Sequence, residues 1–225
     1  MEILDLKNVT LFSALTDDEL KEIGDKISLR NFKKNEVILH EEDTSELMYL
    51  IIAGKVKVVQ ISADGKETIL ALHKSGDFFG EMSLIDGKTA PATVVATENS
   101  RIAFISKKDF FSLITMQKKL FWQLLQIFCA RLREAFERIQ ILSFSNASQR
   151  IKMLLVMLAE TYGKKTEKGI RLDIKLTHQN IADMTGITRE TVTRIINKAQ
   201  REGDITLKNK IIYLNPDFIK REFRH

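Results

Sequence analysis

Residues 176–199 read LTHQNIADMTGITRETVTRIINKA, two short helical periods on either side of one glycine. Thr177 is a hydroxyl N-cap for a helix predicted to run to about Met184, with Ile181, Ala182 and Met184 turned inward. Gly186 stands where a tight turn between helices needs a small residue free in φ. Thr188 caps a second predicted helix, Arg189 to about Gln200. Val192, Ile195, Ile196 and Ala199 fall on its inner side, which leaves Arg189, Glu190, Thr193, Arg194 and Asn197 outside. A helix that enters the major groove of DNA needs such outward residues near its N-terminus. An arginine donates two hydrogen bonds to guanine O6 and N7, and a carboxylate accepts one from cytosine N4. Arg189, Glu190, Thr193 and Arg194 are therefore the candidate base readers. Thr177, Gln179, Thr188 and Thr191 at helix starts, with Lys198, are the candidate phosphate contacts. An Arg-Glu pair on a helix can also be a plain surface salt bridge, worth at most about 1 kcal/mol. The conjunction of two caps, a glycine turn and Arg-Glu-x-x-x-Arg points to double-stranded DNA instead.

Downstream, the Gly203-Asp204-Ile205 turn and the run Ile205 to Leu214 predict a β wing, with Lys208 and Lys210 near the DNA backbone. Charge supports the same partner. Residues 1–145 carry 19 Lys and Arg against 21 Asp and Glu, and residues 146–225 carry 16 against 9. A basic domain behind a near-neutral one suits a polyanion. Charge alone fits a solvated basic face equally well.

Upstream, Asn146-Ala147-Ser148 reads as a hinge, with Ser148 or a neighbour capping a helix over Ile151 to Thr161. Residues 163–169 read as a polar, Lys-rich turn. Before the hinge, Lys108 to Phe144 contains no Pro or Gly and predicts one long helix. Within it Phe121, Leu125, Phe128, Leu132, Ala135, Ile139 and Leu142 alternate in steps of four and three. That is the a/d seam of a two-helix coiled coil, hence a homodimer. The alternative is a stripe packed on the chain's own β domain, as Phe110, Phe111, Leu113 and Ile114 are expected to be. Cys129 flanks the seam and reads as a packed, inert thiol or, alternatively, a redox reporter.

From Glu36 to Ser106 the pattern is VILH, LMYLIIAG, KVKVVQI, ETILALH, ATVVAT and RIAFIS, broken by glycine-bearing turns. Many short runs predict an antiparallel roll, and Asp64-Gly65 is a hairpin signal. Leu15 to Ile27 predicts a short helix with Thr16 and Glu19 at capping-box spacing. The expected fold class is thus α+β. An antiparallel β-roll of jelly-roll type fills residues 1–107, a dimerisation helix 108–144, and a winged helix-turn-helix 146–225.

Several classes fall away. One cysteine in 225 residues permits neither an intramolecular disulfide framework nor a four-cysteine iron–sulfur cluster. His40 and His73 on strand-like runs are weak haem candidates against ordinary packing, and no cofactor or metal is expected. The N-terminus lacks a secretory pattern and no run approaches the ~20 apolar residues of a membrane span, so a soluble cytoplasmic protein is expected. No catalytic triad, P-loop or paired carboxylates suggest an enzyme.

Phe79-Gly-Glu-Met-Ser-Leu-Ile85 and Thr188-Arg-Glu-Thr-Val-Thr-Arg194 carry a resemblance to the CRP/FNR family of transcription regulators, over nearly the whole length. The first string is similar to the family's phosphate-binding cassette, the second to its recognition helix. The resemblance implies that Arg189, Glu190 and Arg194 read TGTGA-type half-sites of a palindrome as a homodimer, with RNA polymerase as a further partner. It also implies an effector pocket at Gly80, Glu81, Met82 and Ser83. Here the chain departs from the pattern. Ala90 and Pro91 stand where an Arg-Ser or Arg-Ala pair would meet a cyclic phosphate, and Lys88 is the nearby cation left to compensate. The positions that would contact adenine fall at Ala135 and Phe136, both apolar. The expectation is a regulator that does not depend on cyclic AMP. The alternative is activation by an unidentified small ligand or by redox change at Cys129.

Overall fold

The computed structural model describes residues 3–63, 65, 67–144, 146–167, 169–216 and 218. The chain divides into two compact units, Met1–Arg131 and Leu132–His225.

In the first unit the strands are β1 (Ile27–Phe32), β2 (Val37–Leu39), β3 (Leu47–Ala53), β4 (Lys55–Ile61), β5 (Glu67–Lys74), β6 (Phe78–Phe79), β7 (Thr93–Ala96) and β8 (Ser100–Ser106). They form two four-stranded antiparallel sheets, ordered β1-β8-β3-β6 and β2-β7-β4-β5. The alternation within β3 explains the arrangement. Met48, Leu50 and Ile52 point one way, into a core shared with the helices. Tyr49 and Ile51 point the other way, into a core with Val56, Val94 and Ala96 of the second sheet. A strand covered on both faces reads as an unbroken apolar run, and β3 is LMYLIIA. All six predicted runs are strands. β4 and β5 pair from Lys55↔Lys74 to Ile61↔Glu67, as the hairpin signal required, although Asp64 itself lies outside the described residues. Two strands carried no signal. β1 exposes four consecutive residues, and β6 is two residues long.

The helices α1 (Ile3–Lys7) and α2 (Asp17–Gly24) precede the sheets. Thr16 accepts the Glu19 N–H while the Glu19 carboxylate accepts the Thr16 N–H at 2.7 Å, the reciprocal cap that the spacing predicted. Helix α3 (Glu81–Asp86) follows β6. The long helix of residues 108–144 is in fact two, α4 (Lys107–Met116) and α5 (Lys118–Ser143), broken at Gln117 (φ −116°, ψ 89°). No Gly or Pro marks the break. Phe110 and Leu113 of α4 and Leu120 and Leu124 of α5 all bury in the same apolar core, and one non-helical residue lets both segments reach it. Phe111, expected to pack, is exposed.

The second unit contains the end of α5, then α6 (Ala147–Tyr162), α7 (His178–Thr185) and α8 (Arg189–Arg201). Its sheet has the order β11-β12-β10-β9 from β9 (Gly163–Thr166), β10 (Gly169–Lys175), β11 (Ile205–Lys208) and β12 (Ile211–Leu214). The predicted turn at 163–169 is therefore largely strand. Its polar composition is that of an edge hairpin, in which Lys164 pairs across to Arg171 and both bond the Asp173 carboxylate. The predicted wing is the β11–β12 pair beside it. No helix among the described residues is long and apolar enough to cross a membrane.

Candidate nucleic-acid interface and effector cassette

Helix α7 begins at a reciprocal cap: Thr177 accepts the Asn180 N–H at 3.1 Å, and the Asn180 side chain accepts the Thr177 N–H at 3.0 Å. It ends at Gly186, whose φ of 65° few other residues adopt and whose N–H returns to the Ala182 carbonyl. Thr188 then caps α8 by accepting the Thr191 N–H at 3.3 Å. Ile181, Ala182 and Met184 of α7 and Val192 and Ile196 of α8 are buried, which fixes the face that α8 turns outward.

Arg189, Glu190 and Arg194 lie on that outward face and are exposed. No hydrogen bond or ion pair within the described residues holds their side chains, so their donors and acceptor are free for an incoming molecule. Thr193 is placed differently from the other candidate base readers. It is half-buried, and its hydroxyl bonds the Arg189 carbonyl and the His178 ring. Of the candidate phosphate contacts, Thr177, Thr188 and Thr191 sit at the helix starts. The Gln179 amide donates to Asp183 at 2.7 Å, and the Lys198 ammonium lies 3.6 Å from Glu202. Lys208 and Lys210 are exposed on the wing.

Arg150 of α6 carried no sequence signal. Its guanidinium donates to the Phe144 carbonyl at 2.6 Å and to the Thr185 carbonyl at 3.2 Å, the open ends of α5 and α7. Helix α6 itself is capped by Asn146, one of the neighbours of Ser148, through the Ser148 N–H at 2.8 Å.

In the cassette, Gly80 has φ 83°, and a Cβ there would come within 2.7 Å of the Tyr49 ring. Glu81 is almost fully buried. Its carboxylate takes the Arg131 guanidinium of α5 at 2.6 Å, and Arg131 also donates to the Phe78 carbonyl at 2.6 Å and lies over the Phe78 ring at 4.4 Å. This arginine was missed in the sequence, because its partner is fifty residues away. Ser83 is buried and its hydroxyl has no partner. Met82 is exposed. Ala90 places its methyl in the inter-sheet core with Tyr49, Phe79 and Val94, and Pro91 is exposed beside it. No basic side chain stands at either position. Lys88 is exposed, with its N–H on the Asp86 carboxylate.

Along α5, Phe121, Leu125, Leu132, Ala135, Ile139 and Leu142 are exposed in the single chain, and Phe128 is turned partly into the core. Phe136 is exposed as well. Cys129, read above as a packed thiol, is exposed. Among the described residues no group of three or more His, Cys, Asp or Glu is placed to hold a metal ion.

Two family models match the chain: a cyclic nucleotide-binding domain over residues 29–117 and a Crp-like helix-turn-helix domain over residues 149–221. The cyclic AMP receptor protein of Thermus thermophilus is 29% identical over 202 residues, 90% of each chain. The cAMP-activated global transcriptional regulator CRP of Salmonella typhimurium is 30% identical over 198 residues, 88% of this chain and 94% of that protein. Among solved structures, FixK2 from Bradyrhizobium japonicum superposes with a TM-score of 0.75 at 20% identity, over 88% of this chain and 96% of its own. The Salmonella relative is by name a regulator of transcription.

Proposed function

Because the chain belongs to the CRP/FNR family of DNA-binding transcription regulators, we propose that it acts as a homodimer on a palindrome of two TGTGA-type half-sites, without a requirement for cyclic AMP. The observation that carries the DNA reading is the outward, unpartnered set Arg189, Glu190 and Arg194 on a helix whose start is capped by Thr188. Bidentate donors and one acceptor near the N-terminus of such a helix match the edges of guanine and cytosine. Thr177, Gln179, Thr188, Thr191 and Lys198, with the wing lysines, are the phosphate contacts in this reading. The exposed apolar stripe of α5 supports the dimer, since a bare seam of this regularity buries itself against a second copy. RNA polymerase belongs to the same reading as the machinery such a regulator serves.

Cyclic AMP independence rests on the cassette. A cyclic phosphate needs a cation or N–H donors when buried. Ala90 is apolar and committed to the core, Pro91 has no N–H, and the Glu81 carboxylate is already satisfied by Arg131. Ala135 and Phe136 offer no polar group to adenine. The residues present do not fit a cyclic nucleotide. Ser83 favours a second reading, in which a largely apolar ligand with one polar group activates the protein, because its buried hydroxyl lacks a partner.

The test is fluorescence anisotropy of a TGTGA-N6-TCACA duplex against a scrambled duplex at one salt concentration, each with and without cyclic AMP. Specific binding that cyclic AMP leaves unchanged is expected. Specific binding that appears only with cyclic AMP would refute the reading of the cassette, and equal binding to both duplexes would refute the base readers.

A further inference from the structure

His178 is the first residue of α7, and Thr193 lies mid-row in Arg189–Thr193–Asn197, three residues spaced by four along the outward side of α8. The Thr193 hydroxyl is 2.9 Å from the Arg189 carbonyl and 2.9 Å from Nδ1 of His178. A hydroxyl has one hydrogen to give. With that hydrogen on the carbonyl, the imidazole must donate from Nδ1 to the Thr193 oxygen. The other ring nitrogen, Nε2, is buried without a partner. A buried polar atom without a partner is uncommon and calls for a reason. An aliphatic side chain would fill the same space without one.

We propose that His178 is a positioning residue for DNA reading: through Thr193 it fixes the rotation of α8 about its own axis, so that Arg189 and Arg194 present their guanidinium groups to the bases in register. The inference rests on the base-reading role of Arg189, Glu190 and Arg194. Apolar packing between α7 and α8, in which Ile181, Val192 and Ile196 are buried, is non-directional. It sets how near α7 and α8 lie, and it constrains rotation weakly. A hydrogen bond is directional, and this one runs from α7 to the middle of the outward row and on to the Arg189 carbonyl at the start of α8. A small rotation of α8 displaces the tip of a long arginine far more than it displaces the helix backbone. Bidentate pairing with guanine tolerates little of that displacement.

The experiment compares His178→Leu and His178→Asn with the unaltered protein. Leucine fills the joint and donates nothing. Asparagine carries an amide N–H close to the place of Nδ1 and nothing at the place of Nε2. Affinity is read by anisotropy on the TGTGA-N6-TCACA duplex and on the scrambled duplex at one salt concentration, with thermal unfolding alongside. His178→Leu is expected to lower the ratio of specific to scrambled affinity about tenfold, within the range for one misplaced bidentate base contact, with scrambled binding nearly unchanged and the melting temperature lowered by no more than one net hydrogen bond accounts for. His178→Asn is expected to recover most of the ratio. In combination with Thr193→Val, His178→Leu is expected to add little, since both remove the same link.

A leucine variant with the original ratio overturns the proposal while leaving the base readers standing. So does a variant in which both affinities and the melting temperature fall together, which marks a packing residue only. Failure of asparagine to recover the ratio also overturns it. If the unaltered protein shows no preference between the duplexes, the base-reading assignment fails first and the positioning role goes with it.

Discussion

At Glu190 a carboxylate faces outward with no cationic partner among the described residues. Near phosphates it is a liability, and against a cytosine amino group it is an acceptor. Glu190→Ala is therefore expected to reduce discrimination between the palindrome and a half-site variant at the contacted pair by about tenfold, within the 1–3 kcal/mol usual for one base pair. Binding to scrambled DNA should hold or rise slightly, as anisotropy at fixed salt will show. Arg131 offers a second test. Arg131→Met leaves the buried Glu81 carboxylate alone, and losses near 3–5 kcal/mol accompany such a broken buried pair. Urea unfolding should show a loss toward the lower end, because Arg131 keeps 26% of its side-chain surface in water. Joint replacement with Glu81→Gln should restore part of it. The outward arginines and Glu190 were legible in the sequence because a helix face is a local property, fixed by residues three and four apart. The Arg131–Glu81 and His178–Thr193 links were not, since they depend on which distant segments the fold brings together.

Among the elements, caps and glycine turns were read correctly where the chemistry is local: Thr16, Thr177, Gly186 and Thr188 all act as their spacing implied. The break at Gln117 and the β9–β10 hairpin were misread for one shared reason. Neither is signalled by its own residues, and both are imposed by what the segment packs or pairs against. Arg150 belongs to this scale, because it closes the ends of two helices at once. Arg150→Ala leaves two partly buried carbonyls without that donor, and a loss of about 1–3 kcal/mol is expected, read as a lower melting temperature. The β9–β10 pair gives a pH prediction. Hydrogen bonds from Lys164 and then Arg171 lower the Asp173 carboxyl from 3.8 to about 2. A carboxyl lowered in the folded state stabilises above its unfolded value and loses that contribution as pH falls through the folded value. The contribution is thus present at pH 5 and lost between about pH 4 and pH 2. Because the side chain is 36% exposed, solvent screening keeps it below about 1 kcal/mol. Acid unfolding of Asp173→Asn should run parallel to the unaltered protein below that window and diverge above it.

For the whole molecule, the order of β-roll, helix and winged helix-turn-helix was readable because each part has its own hydrophobic period. The effector was not readable, because Ala90, Pro91, Ala135 and Phe136 name no ligand by themselves, and the partnerless hydroxyl of Ser83 comes to light only once the fold buries it. The dimer can be tested directly. Leu132→Lys puts a charge in the middle of the α5 stripe, where it is exposed in the single chain and would be buried in a pair. Sedimentation is expected to show a monomer at concentrations where the unaltered protein is a dimer, with loss of the preference for a palindrome over a single half-site.

That bare stripe also bears on dosage. If the proposed dimer is the DNA-binding unit, operator occupancy is coupled to self-association. Where the free chains are dilute relative to the strength of the α5 contact, the amount of dimer rises with the square of the chain concentration. Occupancy of the operator then changes more steeply than the abundance of the protein. A modest change in synthesis or turnover would act as a switch by itself, with no small molecule in the loop.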